Sequence, residues 1–90
     1  MDEARALRLL KNGDEDALIW FLTRYAAYAA RIINGIMLPR LPSADAEEAL
    51  ADVFVSLWRN AGLVPESGIR PYIAAIARNR ARDALRAHRL

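Results

Sequence analysis

The sequence has no cysteine, and its 90 residues include only one histidine, four glycines and four prolines. The lack of cysteine excludes a disulfide framework and any thiolate metal site, and it is typical of a reducing compartment. Low glycine and proline content excludes collagen-like and linker-type chains. Arginines interrupt the longest apolar stretch, so no membrane span is expected. The first residues lack the basic start and apolar block of a secretory signal. We therefore expect one soluble, cytoplasmic domain.

The common signatures of enzyme sites are also missing. No glycine-rich phosphate loop occurs, and no nucleophile motif surrounds any of the three serines. The single histidine, His88, lies near a basic end, where a histidine is far more often a surface residue than a catalytic base. Three acids close in sequence, Glu47, Glu48 and Asp52, are more often a solvated or protein-binding face than a cation site. We predict no enzyme activity, no metal and no small-molecule cofactor.

Charge is unevenly distributed along the chain, although the net value is only +2. Residues 67–90 contain six arginines and one aspartate, whereas residues 1–66 contain seven basic and ten acidic residues. A basic end on an otherwise acidic domain is expected of a protein that contacts a polyanion at one place. Arginine also favours helices and suits their C-termini, so a solvated helix end explains the same pattern. Charge alone leaves both interpretations open.

Apolar residues recur at helical spacing almost throughout, and no stretch alternates as a β-strand does. We predict an all-α fold, a small four-helix bundle, with helices over about residues 2–11 and 15–37, from Asp45 to a stop at Gly62, and over about 69–87. Asn12-Gly13 ends the first predicted helix, and Asp14 caps the second. Prolines place a loop at 38–44, and a capping box opens the third helix at Asp45.

Two long helices carry apolar stripes that predict the core, and the second helix is predicted to be the central element. Its stripe is Leu18, Phe21, Leu22, Tyr25, Ala29, Ile32, Ile33 and Ile36, with Trp20 and Tyr28 outside it. The inward residues of the fourth helix are Ile69, Ile73, Ile76, Ala77, Ala84 and Leu85. Outside, a ridge at spacings of three or four is predicted from Arg78, Arg82, Arg86 and Arg89.

Three segments in fixed order resemble region 2 of the sigma-70 superfamily, in particular the extracytoplasmic-function (ECF) sigma factors of bacterial RNA polymerase. They are KNGDEDAL at residues 11–18, AEEALADVFVSLWRN at 46–60 and IRPYIAAIARNRARDALR at 69–86. Each segment is weak alone, but together they cover nearly the whole chain at the family's spacing. The resemblance implies a small helical bundle, in agreement with the apolar periodicity.

The resemblance implies that the third helix docks on the clamp helices of the largest subunit of core RNA polymerase. The exposed residues that correspond to that surface are Glu48, Ala51, Asp52, Val55 and Arg59. A mixed acidic and small apolar face suits a basic helical partner, although an ordinary solvated helix face has the same composition. The family usually has glutamine where this chain has Ala51. An anti-sigma factor, which covers this surface in the family, is a second expected partner.

The last helix resembles the part of the family that recognises and opens the promoter −10 element. Opening requires capture of unpaired bases from the single-stranded non-template strand. Arg82 and Arg86 would neutralise phosphates, as would Arg89. Arg78 and Asn79 offer paired hydrogen-bonding geometry for base edges.

The loop at residues 63–68 matches the specificity loop of the family, which holds a flipped base. The Ser67 hydroxyl and the backbone at Gly68 suit that task. Tyr72 stands where the family usually shows an aromatic residue, and it either stacks on a base or belongs to the core. Two further features differ from the family pattern, the isoleucine Ile69 where phenylalanine is common and the longer linker at 38–44. The predicted DNA-binding residues are Arg70, Tyr72, Arg78, Asn79, Arg82, Arg86 and Ser67.

The resemblance covers only the first conserved domain of these sigma factors, which we expect to span residues 1–90. No segment resembles the helix-turn-helix domain that recognises the −35 element in the family, so we expect either an excised fragment or a truncated relative. Two other functions remain as alternatives. One is a duplex DNA-binding regulator with its final helix in the major groove, although no short helix and tight turn precede Ile69. The other is a protein-interaction module whose arginine ridge only increases solubility.

Overall fold

Four α-helices and one short 3-10 helix make up the chain in the computed structural model, which describes residues 1–66 and 68–88. The elements are α1 (Glu3–Lys11), α2 (Glu15–Met37), α3 (Ser43–Arg59), the 3-10 helix η1 (Ala61–Leu63) and α4 (Ile69–Ala87). The predicted all-α four-helix bundle is confirmed, and α2 and α4 have the predicted bounds. Since α2 contacts each of the other three α-helices, it is the central element, as predicted.

The junction between α1 and α2 is determined by local sequence signals. Gly13 has a φ of 81°, in the left-handed region that favours glycine, and its N–H donates to the carbonyl of Leu10. Asp14 then caps α2, because its Oδ1 accepts from the N–H of Asp16 at 2.9 Å and from that of Ala17 at 3.3 Å. The predicted stop and cap at this junction are both confirmed.

The predicted start of α3 at Asp45 is wrong. The helix begins at Ser43 after Pro42, and no side chain caps it. The carbonyl of Pro42 accepts from the N–H groups of Asp45 at 3.0 Å and Ala46 at 3.4 Å, so the first turn is closed by the backbone. Asp45 therefore lies inside the first turn, where a carboxylate is favourable near the positive end of the helix dipole.

The predicted end of α3 at Gly62 is also wrong. The α-helix ends at Arg59, and Asn60 follows as its C-cap. The backbone N–H of Asn60 donates to the carbonyl of Ser56 at 2.9 Å, and its Nδ2 donates to the same carbonyl at 3.1 Å, so this residue closes the last turn with two hydrogen bonds. Gly62 instead lies within η1.

Within the described residues the buried core contains only hydrophobic residues. Its largest fully buried side chains are Phe21, Leu7, Leu10, Ile33, Met37, Leu57, Ile73, Val53 and Val64. The predicted stripe of α2 is wrong at Leu22, which is 36% exposed, because it follows the inward-facing Phe21 and is turned about 100° away from it. In α4 the buried Ala74 and Ala81 were not predicted, because their small side chains give little periodic signal.

The inward prediction for α4 is only partly correct at its C-terminal end. Ile76 and Ala84 are half-buried and pack against the core. Leu85 is half-buried but does not belong to the core cluster. It lines a surface groove together with Leu41 from the loop between α2 and α3.

Candidate nucleic-acid interface

The outer side of α4 carries most of the predicted DNA-binding side chains. Arg78, Asn79, Arg82 and Arg86 are all exposed. These four side chains extend from α4, and the opposite side of this helix is buried in the core, which holds its backbone in place. Arg89, the last member of the predicted ridge, lies outside the described residues.

Asp83 offsets part of the positive charge of this ridge. Its carboxylate pairs with the guanidinium of Arg86, and its Oδ2 lies 3.9 Å from Nη1 of Arg80. Among the described residues, neither Arg78 nor Arg82 forms an ion pair. Exposed ion pairs contribute about 0–1 kcal/mol, so the release of Arg86 from Asp83 lowers its affinity for a phosphate by no more than about five-fold.

At the other end of α4, Arg70 contacts the central helix. The guanidinium carbon of Arg70 lies 4.0 Å from the centroid of the Tyr28 ring, a cation–π contact. Tyr28 is half-buried against the core, and with Arg31 and Ile32 the pair lines a cavity of about 320 Å³. Arg70 and Arg86 are separated by about 24 Å along the axis of α4, given a rise of 1.5 Å per residue.

Tyr28 and Arg31 were not predicted to lie next to the interface. The sequence contained one weak indication of this contact, the position of Tyr28 outside the apolar stripe of α2. A contact between two helices far apart in sequence depends on how they cross, and apolar periodicity does not specify that crossing.

The remaining predicted DNA-binding residues are not all brought together. Tyr72 is half-buried and packs against the core, and it lies about 200° around the helix from Arg70. Ser67 lies outside the described residues. Gly68 precedes α4 with a φ of −131°, and a Cβ there would make only ordinary contact with Pro65 at 3.6 Å. Position 68 therefore has no structural need for glycine.

A second surface, the α3–α4 groove, lies between these two helices and has a volume of about 580 Å³. Four of the five predicted polymerase-binding residues line it, and Ala51 is exposed without lining it. The residues that define its two walls are Glu48, Asp52, Val55 and Arg59 from α3, with Arg80 and Asp83 from α4. The contribution of α4 to this groove was not predicted.

Acidic side chains dominate the α3 wall of the groove. Glu48 and Asp52 are exposed, and neither forms an ion pair within the described residues. Val55 lies between them and the C-terminal end of the helix and is 45% exposed. The surface thus combines free carboxylates with an exposed apolar side chain, which suits a basic helical partner.

One titratable group of the described chain, the Tyr25 hydroxyl, has a clearly shifted pKa. Burial raises the pKa of the Tyr25 hydroxyl, and its hydrogen bond to the Glu3 carboxylate acts in the same direction. Arg24 lies beside this pair, with its Nε 3.6 Å from Oε1 of Glu3. The arrangement joins α1 to α2 and has a structural role.

The part of the chain that the structure describes holds no group of three metal-ligating side chains. Nor does any helix in this part have the length and apolar character needed to cross a membrane.

The family model described as Sigma-70 region 2 matches residues 21–90 of the chain. The match covers most of α2 and all of α3 and α4. No curated protein and no solved structure matches the chain.

Proposed function

Because the chain belongs to the sigma-70 region 2 family, whose members take part in RNA polymerase binding and promoter recognition, we propose that it recognises and melts the promoter −10 element as part of an ECF-type sigma factor. It does so on bacterial core polymerase and is itself not catalytic. The polymerase performs the chemistry, and this domain contributes binding energy to strand opening.

The observation that carries this proposal is the position of two surfaces of opposite character on either side of α4. The exposed Arg78 and Arg82, which have no ion-pair partner within residues 1–66 and 68–88, lie on its outer side, while the acidic Glu48 and Asp52 face it across the α3–α4 groove. In this proposal, α4 contacts DNA with its outer side and forms one wall of the polymerase-binding groove with its other side. An interaction module with a merely solubilising arginine ridge does not account for this separation.

Strand opening requires that unpaired bases be bound better than paired ones. Stacking on aromatic side chains contributes about 1–3 kcal/mol per base, and arginine adds cation–π interaction. At the N-terminal end of α4 the Arg70 guanidinium, held on Tyr28, suits this role. The half-buried Tyr72 faces a different side of α4 and would stack only on a base bound on that side. Arg82 and Arg86 neutralise phosphates of the non-template strand, and Arg78 and Asn79 contact base edges.

The α3–α4 groove is proposed to receive the clamp helices of the largest polymerase subunit. Basic side chains of the clamp would meet Glu48 and Asp52, and Val55 would be covered by apolar contact. Ala51 and Arg59 complete this face. An anti-sigma factor that covered the same groove would block polymerase binding directly.

We take residues 1–90 as one region 2 domain, although the family match begins at residue 21. The burial of Ala6, Leu7 and Leu10 of α1 in the same core as α2 supports this extent. The proposed site of action is the bacterial cytoplasm, where RNA polymerase works.

Binding to purified core polymerase tests the docking surface. The doubly substituted Glu48→Lys/Asp52→Lys chain should lose capture of the core enzyme, because two attractive contacts become repulsive. Glu47→Lys is the matched control, since Glu47 is exposed on the same helix but does not line the groove. Equal retention by wild type and the double variant would contradict the proposed surface.

A further inference from the structure

The loop between α2 and α3 brings Arg40 to the C-terminal half of α4. There it lines a groove of about 470 Å³ with the side chains of Leu41, Arg82, Leu85, Arg86 and His88. We call this surface the corner groove. Arg40 is separated from the α4 arginines by the whole of α3 in sequence, and nothing in the apolar pattern predicts that they share a surface.

The position of Arg40 is fixed by its neighbours in the loop. Pro39 and Pro42 restrict the backbone on both sides, since the proline ring holds φ near −65°. The N–H of Leu41 donates to the carbonyl of Met37 at 2.9 Å, and the Leu41 side chain packs against the core. Arg40 is therefore held at the corner between the end of α2 and the start of α3.

The corner groove is strongly basic. Three arginines line it, and no acidic side chain of the described chain does. Asp83 pairs with Arg86 from outside the groove, whereas Arg40 and Arg82 have no ion-pair partner among the described residues. Two free guanidinium groups that share one groove attract an anion with more than one charge.

We propose that the corner groove binds the phosphodiester backbone of double-stranded DNA next to the opened segment, and that Arg40 is a phosphate-binding residue there. This inference rests on the proposed function. Arg82 belongs both to the groove and to the outer ridge of α4, so a strand that follows the ridge runs into the groove. Leu41 and Leu85 provide apolar contact for deoxyribose rings between the phosphates.

The duplex is assigned from the position of the groove along α4. It lies at the C-terminal end of the helix, about 24 Å from the end where the loop at 63–68 is expected to hold an unpaired base. DNA that is bound along the whole of α4 extends past the unpaired bases into the neighbouring double-stranded segment. An acidic protein surface is the other class of anion that suits this groove. It would not account for the fact that the groove continues into the arginine ridge of α4.

The test compares two DNA probes bound by the 90-residue chain assembled on core polymerase. The first is a duplex in which the −10 segment is an unpaired bubble, and the second is the non-template strand of that segment alone. Arg40→Gln should reduce the slope of log K against log salt on the bubble duplex by about 0.9, the value for one lost phosphate contact. The ratio of the wild-type to the variant binding constant should then fall about three- to four-fold between 50 and 200 mM salt. On the single strand the two proteins should bind equally.

Arg8→Gln is the matched control, because Arg8 is an exposed arginine of α1 that does not line the groove. If Arg40→Gln and Arg8→Gln have the same slope on the bubble duplex, the inference is wrong. It is also overturned if Arg40→Gln weakens polymerase assembly and leaves DNA binding unchanged, since the groove would then bind an acidic protein surface. Failure of wild type to bind the single strand would instead count against the proposed function.

Discussion

Arg70 at the N-terminal end of α4 stacks on Tyr28 in the middle of α2, with 4.0 Å between the guanidinium carbon and the ring centroid. The contact fixes an otherwise exposed and flexible side chain at the end of the helix that is expected to face unpaired bases. It gives Tyr28 a role as a positioning residue, because the tyrosine acts through Arg70.

Replacing Tyr28 tests this role. Tyr28→Leu removes the ring, and a cation–π contact at an exposed site contributes about 0.5–1 kcal/mol, so affinity for the −10 single strand should fall about two- to five-fold. Tyr28→Phe keeps the ring and should bind like wild type. Fluorescence anisotropy with a labelled oligonucleotide measures both, and thermal melting confirms that each variant is folded. Equal losses in the two variants would show that the ring does not position Arg70.

Asp83 makes the two predicted phosphate-binding arginines unequal. Arg82→Gln should lower the salt slope for single-stranded DNA by about 0.7, the value for one phosphate contact on a single strand. Arg86→Gln should cost less affinity, because Arg86 must first leave Asp83. In an Asp83→Asn background the two substitutions should become equally costly. Titrations at several salt concentrations measure this, and a larger loss from Arg86→Gln in the parent chain would contradict it.

The start of α2 has a side-chain cap and the start of α3 has none, so substitutions at these two places should lower the stability by different amounts. Asp14→Ala removes the side-chain acceptor of two N–H groups at the start of α2 and should lower the free energy of unfolding by about 1 kcal/mol. Ser43→Ala lies at the start of α3, where the Pro42 carbonyl closes the turn, and should change it by less than about 0.5 kcal/mol. Urea denaturation followed by circular dichroism compares them. Similar losses at both sites would mean that Ser43 is a side-chain cap after all.

Tyr25 predicts a loss of stability at high pH. Its pKa is raised above the ordinary value of 10.0 in the folded chain, chiefly by burial, so the folded state holds the hydroxyl proton more tightly than the unfolded state does. This contribution is fully present below pH 10 and is lost as the pH rises through the folded-state pKa. The chain has a single lysine, which keeps the competing lysine titration small.

Tyr25→Phe should therefore flatten the decline in the free energy of unfolding between about pH 9 and 12, since phenylalanine has no proton to lose. Tyr72→Phe removes a hydroxyl elsewhere in the chain and should leave the decline in place. Urea denaturation at each pH provides the comparison. A decline of the same size in Tyr25→Phe would assign the pH dependence to other groups.

The sequence predicted α2 well because both of its ends carry strong local signals. Gly13 and Asp14 determine the start of α2, and the prolines that follow determine its end. The start of α3 was missed because two local signals compete there, the capping pattern at Asp45 and the backbone closure at Pro42. The backbone closure prevails, because the carbonyl of Pro42, three residues before Asp45, accepts the N–H groups of Asp45 and Ala46.

The candidate surfaces were predicted only as far as single helices define them. The exposed faces of α3 and α4 follow from periodicity, and the structure has them as expected. The pairing of Arg70 with Tyr28, the α4 wall of the α3–α4 groove and the approach of Arg40 to Arg82 depend on how helices cross. That crossing is determined by packing between residues far apart in sequence, and a single sequence contains no direct signal for it.

The most direct test of the account compares three DNA probes on the chain assembled with core polymerase. These are the single-stranded non-template −10 strand, the same sequence as duplex, and a scrambled strand of equal composition. We predict that the chain binds the −10 strand more tightly than either other probe. Asn79→Ala should change which bases are preferred and leave the dependence of the binding constant on salt unchanged. Preference for the duplex would indicate a duplex-binding regulator, and equal binding of the −10 and scrambled strands would contradict recognition of the −10 element.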